Sequence, residues 1–339
     1  MIKLQYQEDK NKFSFFLKEG NNLACFRYTT LIFGFNCSLF ILNYVLKYHA
    51  QRFATDECTD MLLNNFYVDN LVKTSNSLEH LVKLYKESQV MMSEGNFSLK
   101  YNTNNSSLQE LIVNDGNFVE HGAKTEKVLG YIYSPKKDSI SINVDKINPQ
   151  VVTKREVLSE TSKVFDPLSL CLPVTIRGCI LMRDLWVEKL TWDEEIPSEY
   201  QKIWKELSKD LCELGSLSFT RNVVDSDGPG SLYLFSDASK DNAYGFVAYL
   251  RQNGVCNNIF SKGKVVPVAR KSLPSLELLG VYLAIKCLKT LLNVYSNITI
   301  KEIIMAVDAQ VVLSWLMTDP CRIKTKINNL LKIGSKIYK

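Results

Sequence analysis

The amino-acid sequence predicts an α+β protein whose C-terminal third is a separate, mixed α/β unit. Three observations predict it. Residues 225–230 (DSDGPG) form the clearest linker in the chain, a cluster of turn-forming residues between two patterned regions. Beyond the linker, strand-like and amphipathic helical runs alternate, as in a layered α/β fold. Ahead of it, apolar residues recur at helical spacing, most clearly in the stripe Ile203, Trp204, Leu207, Leu211 and Leu214, which reads as core rather than a binding surface. The 339 residues suffice for two or three domains, and 46% hydrophobic with 23% charged residues is ordinary globular composition. No internal repeat is present.

The elements follow in order. Ile2, Leu4 and Tyr6, a polar turn at Glu8-Asp9-Lys10, then Phe13, Phe15 and Phe16 suit a β-hairpin over residues 1–19. Residues 28–46 carry no charge and approach the length of a bilayer span. Thr29, Thr30, Asn36, Ser38 and Asn43 interrupt that run, so it reads as a strand-turn-helix, with a helix over 38–52 and no membrane segment. Residues 61–72, broken by Asp69-Asn70, predict a hairpin with an acidic tip. Ser77 is placed to cap a helix over 77–92, and the Asn-, Ser- and Gly-rich residues 102–125 read as a loop or linker. Two short strands are expected within 127–144, around the turn at 134–138. Thr153-Lys154-Arg155-Glu156 has capping-box spacing, Asp166-Pro167 is placed to start another helix, and 174–190 reads as a helix ending near Trp192.

After the linker, strands are predicted over 231–236, 243–250 and 257–266. A long helix over 273–292, a strand over 298–307 and a short helix over 309–317 follow. Charge is uneven. Residues 228–339 hold 15 Lys and Arg against six Asp and Glu, a balance of +9 in a chain of net charge +5. Such a basic segment suits contact with a phosphate backbone, although a lysine-rich solvated surface gives the same count. The nine cysteines include no CxxC pair and the three histidines lie far apart, which argues against a zinc site. Scattered thiols without a signal peptide suit reduced cysteines in an intracellular protein, cytoplasmic or nuclear.

Three carboxylates of the last unit belong together by topology. Asp237 closes its first strand, Asp308 closes its fourth, and Glu277 sits one turn into the long helix between them. In an open α/β sheet, ligands gather at the carboxyl ends of strands. An isolated Asp after a strand is ordinarily a turn or cap residue. Glu277 lies in the apolar run Leu273-Pro274-Ser275-Leu276-Glu277-Leu278-Leu279, where a free charge is costly. Three carboxylates held close repel one another unless a divalent cation intervenes, and an all-oxygen set suits Mg²⁺ or Mn²⁺.

The same residues carry a family resemblance. Ser236-Asp237-Ala238-Ser239 with Ala243-Tyr244-Gly245 resembles the "SDAS…AYG" opening of the RNase H-like domain in BEL/Pao-type retrotransposons. The segment 273–279 resembles their "IPRLELL" helix, with Ser275 in place of Arg, and 307–316 (VDAQVVLSWL) resembles "TDSxVVLxWL". Upstream, Phe165-Asp166-Pro167-Leu168 and 172–178 (LPVTIRG) resemble "FDPLGLLSPVTVRGK", and Leu185-Trp186 and 190–193 (LTWD) agree. Residues 33–40 (FGFNCSLF) resemble the "FGLxxSPF" segment of reverse transcriptases, and Tyr67-Val68-Asp69-Asn70 stands where that family has "YVDD". Residues 95–104 and 129–133 resemble further blocks, so the resemblance covers nearly the whole chain.

The resemblance implies a partial reverse transcriptase palm over 1–115, a mostly helical thumb- or connection-like region over 116–227, and an RNase H-like α/β domain over 228–339. It implies an RNA–DNA hybrid as partner, Asp237, Glu277 and Asp308 as catalytic metal ligands, and Asp69 as a catalytic acid of the palm. Departures set expectations for activity. Asn70 replaces the second hairpin carboxylate, the family's other palm Asp is expected upstream of residue 1, and its fourth RNase H acid after Lys339. Polymerase activity is therefore expected to be lost, and with three of the four RNase H carboxylates this copy is expected to be inactive as a ribonuclease as well. A non-catalytic nucleic-acid-binding or interaction module is the alternative. Proteolysis, which one label for this family suggests, has little support. Asp237-Ala238-Ser239 is not an aspartic-protease loop, and neither Ser239 nor Cys256 has a histidine in the C-terminal third. Oligomeric state is not legible in the sequence.

Overall fold

The computed structural model describes residues 14–20, 22–28, 37–67, 70–75, 77–101, 103, 105–116, 126–135, 137–224, 228–269 and 271–318. The chain divides into two compact units, residues 1–124 and 125–339.

In the first unit, β1 (Ser14–Glu19) and β2 (Asn22–Arg27) form an antiparallel hairpin running from Ser14↔Arg27 to Glu19↔Asn22. The predicted turn at residues 8–10 lies outside the described residues, and the observed hairpin turns at Gly20, whose φ of +62° suits a residue without Cβ. Phe15 and Phe16 thus sit on the first arm. Helix α1 (Ser38–Phe53) agrees with the predicted 38–52. Helix α2 (Asp56–Asn64), capped by Thr55, takes up the first third of the segment read as a hairpin, and only the short pair β3 (Phe66–Tyr67) and β4 (Asn70–Leu71) remains of it. Met61 and Leu62 are buried helix residues against Leu46, Ala50 and Leu84, so tertiary packing overrides their strand-like pattern.

Helix α3 (Leu78–Glu94) starts where Ser77 Oγ accepts from the His80 N–H, as predicted. Helix α4 (Ser106–Asn114) corrects the reading of 102–125 as loop. Asn105 Oδ1 accepts from the Leu108 N–H at 3.0 Å, and Leu108 and Ile112 bury against Tyr85. The asparagine taken as a linker residue is the cap of a short amphipathic helix.

The second unit opens with a meander, β5 (Glu126–Val128), β6 (Tyr131–Ser134) and β7 (Ser139–Ile142), completed by β8 (Phe219–Thr220) after three helices. Helix α5 (Lys154–Ser162) starts in the predicted capping box, with both the Thr153 and Glu156 side chains bonded. Asp166 does not begin a helix directly. Its carboxylate accepts from the N–H groups of Leu170 and Cys171 and from Tyr131 Oη, shaping the turn that leads into α6 (Leu172–Val187). Helix α7 (Ser198–Glu213) buries Trp204, Leu207 and Leu211, whereas Ile203, read as part of the stripe, faces solvent. Lys154 is buried, donating to the Leu190 carbonyl with its ammonium 3.7 Å from the Trp186 ring and 5.1 Å from that of Trp192.

The remaining strands are β9 (Gly230–Ala238), β10 (Ala243–Gln252) and β11 (Val255–Val265). Helix α8 (Leu273–Val294), strand β12 (Ile300–Val307) and helix α9 (Gln310–Met317) complete the unit. Every element predicted beyond the linker is present. Strand order is β11-β10-β9-β12, with β10 antiparallel to both neighbours and β12 parallel to β9. Asn253 and Gly254, both at positive φ, make the tight turn between β10 and β11. Leu232, Leu234, Phe246, Ala248 and Leu250 pack beneath Leu283, Ala284, Leu288 and Leu291 of α8. Among the described residues, no helix is long and apolar enough to cross a membrane.

Trp204 is wholly buried, and its indole N–H donates to the Asn148 carbonyl at 2.9 Å. Trp204→Ala is expected to destabilise the second unit by about 3–5 kcal/mol, read as a lower urea midpoint.

Candidate metal centre

Two neighbouring strands and one helix build the site. Because β12 runs parallel to β9 in the register Val307↔Ser236, the residues that follow, Asp308 and Asp237, emerge side by side at the same end of the sheet. Helix α8 delivers the third carboxylate. Its Gly280 lies against β9 and β10 so closely that a Cβ there would fall 2.5 Å from Ser236 Oγ and 3.1 Å from the Gly245 carbonyl. Ser236 Oγ is itself held by donating to that carbonyl at 3.2 Å. Glu277, one turn earlier on the helix, is thereby brought over the two strand ends.

Carboxylate oxygens of Asp237, Glu277 and Asp308 all lie within 4.8 Å of one another. The two aspartates are exposed and Glu277 is buried, with 5% of its surface accessible. Glu277 Oε2 is buried without a hydrogen-bond partner, an arrangement that is costly unless a cation or proton satisfies it. Burial, then the charges of Asp237 and Asp308, push its pKa up from 4.5 to about 7, and only the Ala238 N–H works in the other direction. Ala238 N–H also lies 2.7 Å from Asp237 Oδ1. The turn after Asp237 is braced from α6, where Arg183 donates to the carbonyls of Asp241 and Asn242.

The three residues singled out in the sequence are thus adjacent. Asp69 lies outside the described residues, while Asn70 opens β4 opposite Tyr67. Sequence reasoning passed over Gly280 and Arg183, and took Ser236 only as part of a motif. The signal for Gly280 was present, a lone glycine inside a strongly apolar helical run, where it costs helix stability unless a close approach requires it. The donor set fits a hard divalent cation. It consists of oxygens alone, it carries up to three negative charges, and one of its buried atoms lacks any partner.

Residues 153–309, a span that contains all three carboxylates, match the family described as the Pao retrotransposon-like RNaseH-like domain. RNase H-like domains are generally dependent on divalent metal, which agrees with the donor set. Two solved structures resemble the whole chain. One is the foamy viral protease-reverse transcriptase in complex with dsDNA, with a TM-score of 0.52 and 13% identity, covering 98% of this chain and 62% of that one. The other is the foamy viral protease-reverse transcriptase in complex with RNA/DNA hybrid, with a TM-score of 0.51 and 11% identity, covering 98% of this chain and 40% of that one. At such identity the likeness is one of fold alone. The chain spans less than two thirds of either structure's length. No curated protein sequence matches it.

Two outcomes follow for the metal-free protein. Because the folded pKa of Glu277 lies above its unfolded value, its contribution to stability is fully present below about pH 4.5 and is lost as pH rises through about 7. Thermal midpoints should therefore fall between pH 5 and pH 8, and Glu277→Gln should flatten that slope. Millimolar Mg²⁺ or Mn²⁺ should raise the midpoint at pH 8 in the native chain and not in Asp237→Asn.

Proposed function

We propose that the chain is part of a retrotransposon Pol polyprotein derived from an RNA-directed DNA polymerase and ribonuclease H, and that its C-terminal domain binds RNA–DNA hybrid. The observation that carries this reading is the meeting of Asp237, Glu277 and Asp308 within 4.8 Å at one end of a β11-β10-β9-β12 sheet. These residues would hold Mg²⁺ or Mn²⁺. When bound, such ions offset the charge on the attacking and leaving oxygens of a phosphodiester and orient them in line. The protein's own contribution is placement. The two aspartates present accessible oxygens from rigid strand ends, and Glu277 presents one from a helix whose approach Gly280 allows. Hydrolysis then joins a water oxygen to phosphorus and releases the 3′ oxygen, which takes a proton.

The basic balance of +9 over residues 228–339 suits capture of the hybrid through its phosphates, without base readout. We read residues 1–115 as palm-derived, 116–227 as thumb- or connection-like, and 228–339 as the RNase H-like domain. Polymerase activity is not part of this proposal, because Asn70 supplies no charge where the reverse transcriptase hairpin carries its second acid. The cysteines of the described residues are free thiols, which suits the reducing cytoplasm or nucleus. A second reading, hybrid binding without hydrolysis, is favoured by one observation: among the described residues the cluster comprises three carboxylates.

One assay tests both. The chain should cleave the RNA strand of a labelled RNA–DNA hybrid in Mg²⁺ or Mn²⁺, with Asp237→Asn reducing the rate by about 100-fold or more and leaving hybrid affinity nearly unchanged. Metal-independent cleavage, or none at all, removes the nuclease reading. Salt-dependent hybrid binding without cleavage leaves the binding module.

A further inference from the structure

Helix α1 has two unlike faces. One buries Leu46 and Ala50 in the core of the first unit, against α2 and α3. The other presents Phe40, Tyr44 and Tyr48, which are 72%, 62% and 50% exposed among the described residues. Their four-residue spacing stacks them along the helix. Ring centroids of Phe40 and Tyr44 are 6.4 Å apart at 21° between planes, and those of Tyr44 and Tyr48 are 6.4 Å apart at 12°. Arg52 continues the row, with its guanidinium 5.1 Å from the Tyr48 ring centre and Nη1 donating to Tyr48 Oη at 2.6 Å. Lys47 is exposed beside Tyr44 and Tyr48, and residues 38–53 contain no Asp or Glu.

Exposed aromatic rings are costly in water, and this row keeps three of them nearly parallel along one helix. A bulk hydrophobic contact needs no such alignment. Flat π-systems arrayed with cations and without anions match a ligand that is itself a series of flat rings on an anionic backbone. Bases in a duplex are already stacked on one another, so only an unpaired strand can offer its ring faces.

We propose that the Phe40–Tyr44–Tyr48 row with Lys47 and Arg52 is a stacking platform for single-stranded nucleic acid. Bases lie on the three rings, and the two cations meet the adjoining phosphates. The platform belongs to the first unit and does not depend on the acidic cluster of the second. Because every base has a π-face, binding there is tolerant of sequence.

The test is fluorescence anisotropy of the full chain with a labelled oligothymidylate and with an abasic oligonucleotide of the same length. The native chain should bind the abasic strand about tenfold or more weakly than the thymidylate strand. Tyr44→Ala/Tyr48→Ala should weaken thymidylate binding by about the same factor, and Tyr44→Trp should retain it. These residues are exposed, so circular dichroism should be unchanged. Metal-dependent hybrid cleavage, if present, should persist in the double variant, which separates this proposal from the previous one. Equal affinity for the two strands, or equal affinity of the double variant and the native chain, would overturn it. So would a self-association that the double variant abolishes while strand binding stays intact, because the face would then belong to a second copy of the chain.

Discussion

Helix α8 lies so close to strands β9 and β10 that a single added carbon at Gly280 would collide with Ser236 Oγ. That approach governs much of what the second unit can do. It brings Leu283, Ala284, Leu288 and Leu291 down onto the apolar face of the sheet, and it fixes the height at which the preceding helical turn passes over the strand ends. Glu277 is on that turn. A larger residue at 280 would lift the helix, loosen the core and draw one carboxylate away from the other two. Packing and chemistry therefore share one contact.

The carboxylate cluster works against the stability of the domain that holds it. Glu277 sits in an apolar run, largely withdrawn from water, and faces two further acids. Replacing it by a residue that packs there without charge would favour folding. Asp237 and Asp308 avoid most of that cost by remaining in water at the ends of their strands.

Much of this was legible in the sequence, and the exceptions have physical causes. Beyond residue 228 each strand and helix was evident because periods of two and 3.6 alternate cleanly, and the three acids could be grouped from topology alone. The capping box at Thr153 was equally plain, since it depends only on local geometry. What escaped was either short or tertiary. Helix α4 is nine residues long, and its Asn- and Ser-rich flank resembles a loop unless Asn105 is recognised as a cap. Met61 and Leu62 follow no strand because α1 and α3 bury them. The burial of Lys154 beneath two tryptophans joins residues more than thirty positions apart, which no local pattern reveals.

The outer strand β11 does not end the sheet in open water. The Ser261 N–H donates to the Leu168 carbonyl at 3.0 Å, and Leu172, at the start of α6, covers Gly263 so that a Cβ there would stand 3.1 Å from it. An uncovered strand edge invites pairing with other chains. The helical segment before the linker acts as a guard rail for that edge, so removing it would leave β11 open to pairing. The matched family span, which begins at residue 153 and not at the linker, has the extent that such an arrangement requires.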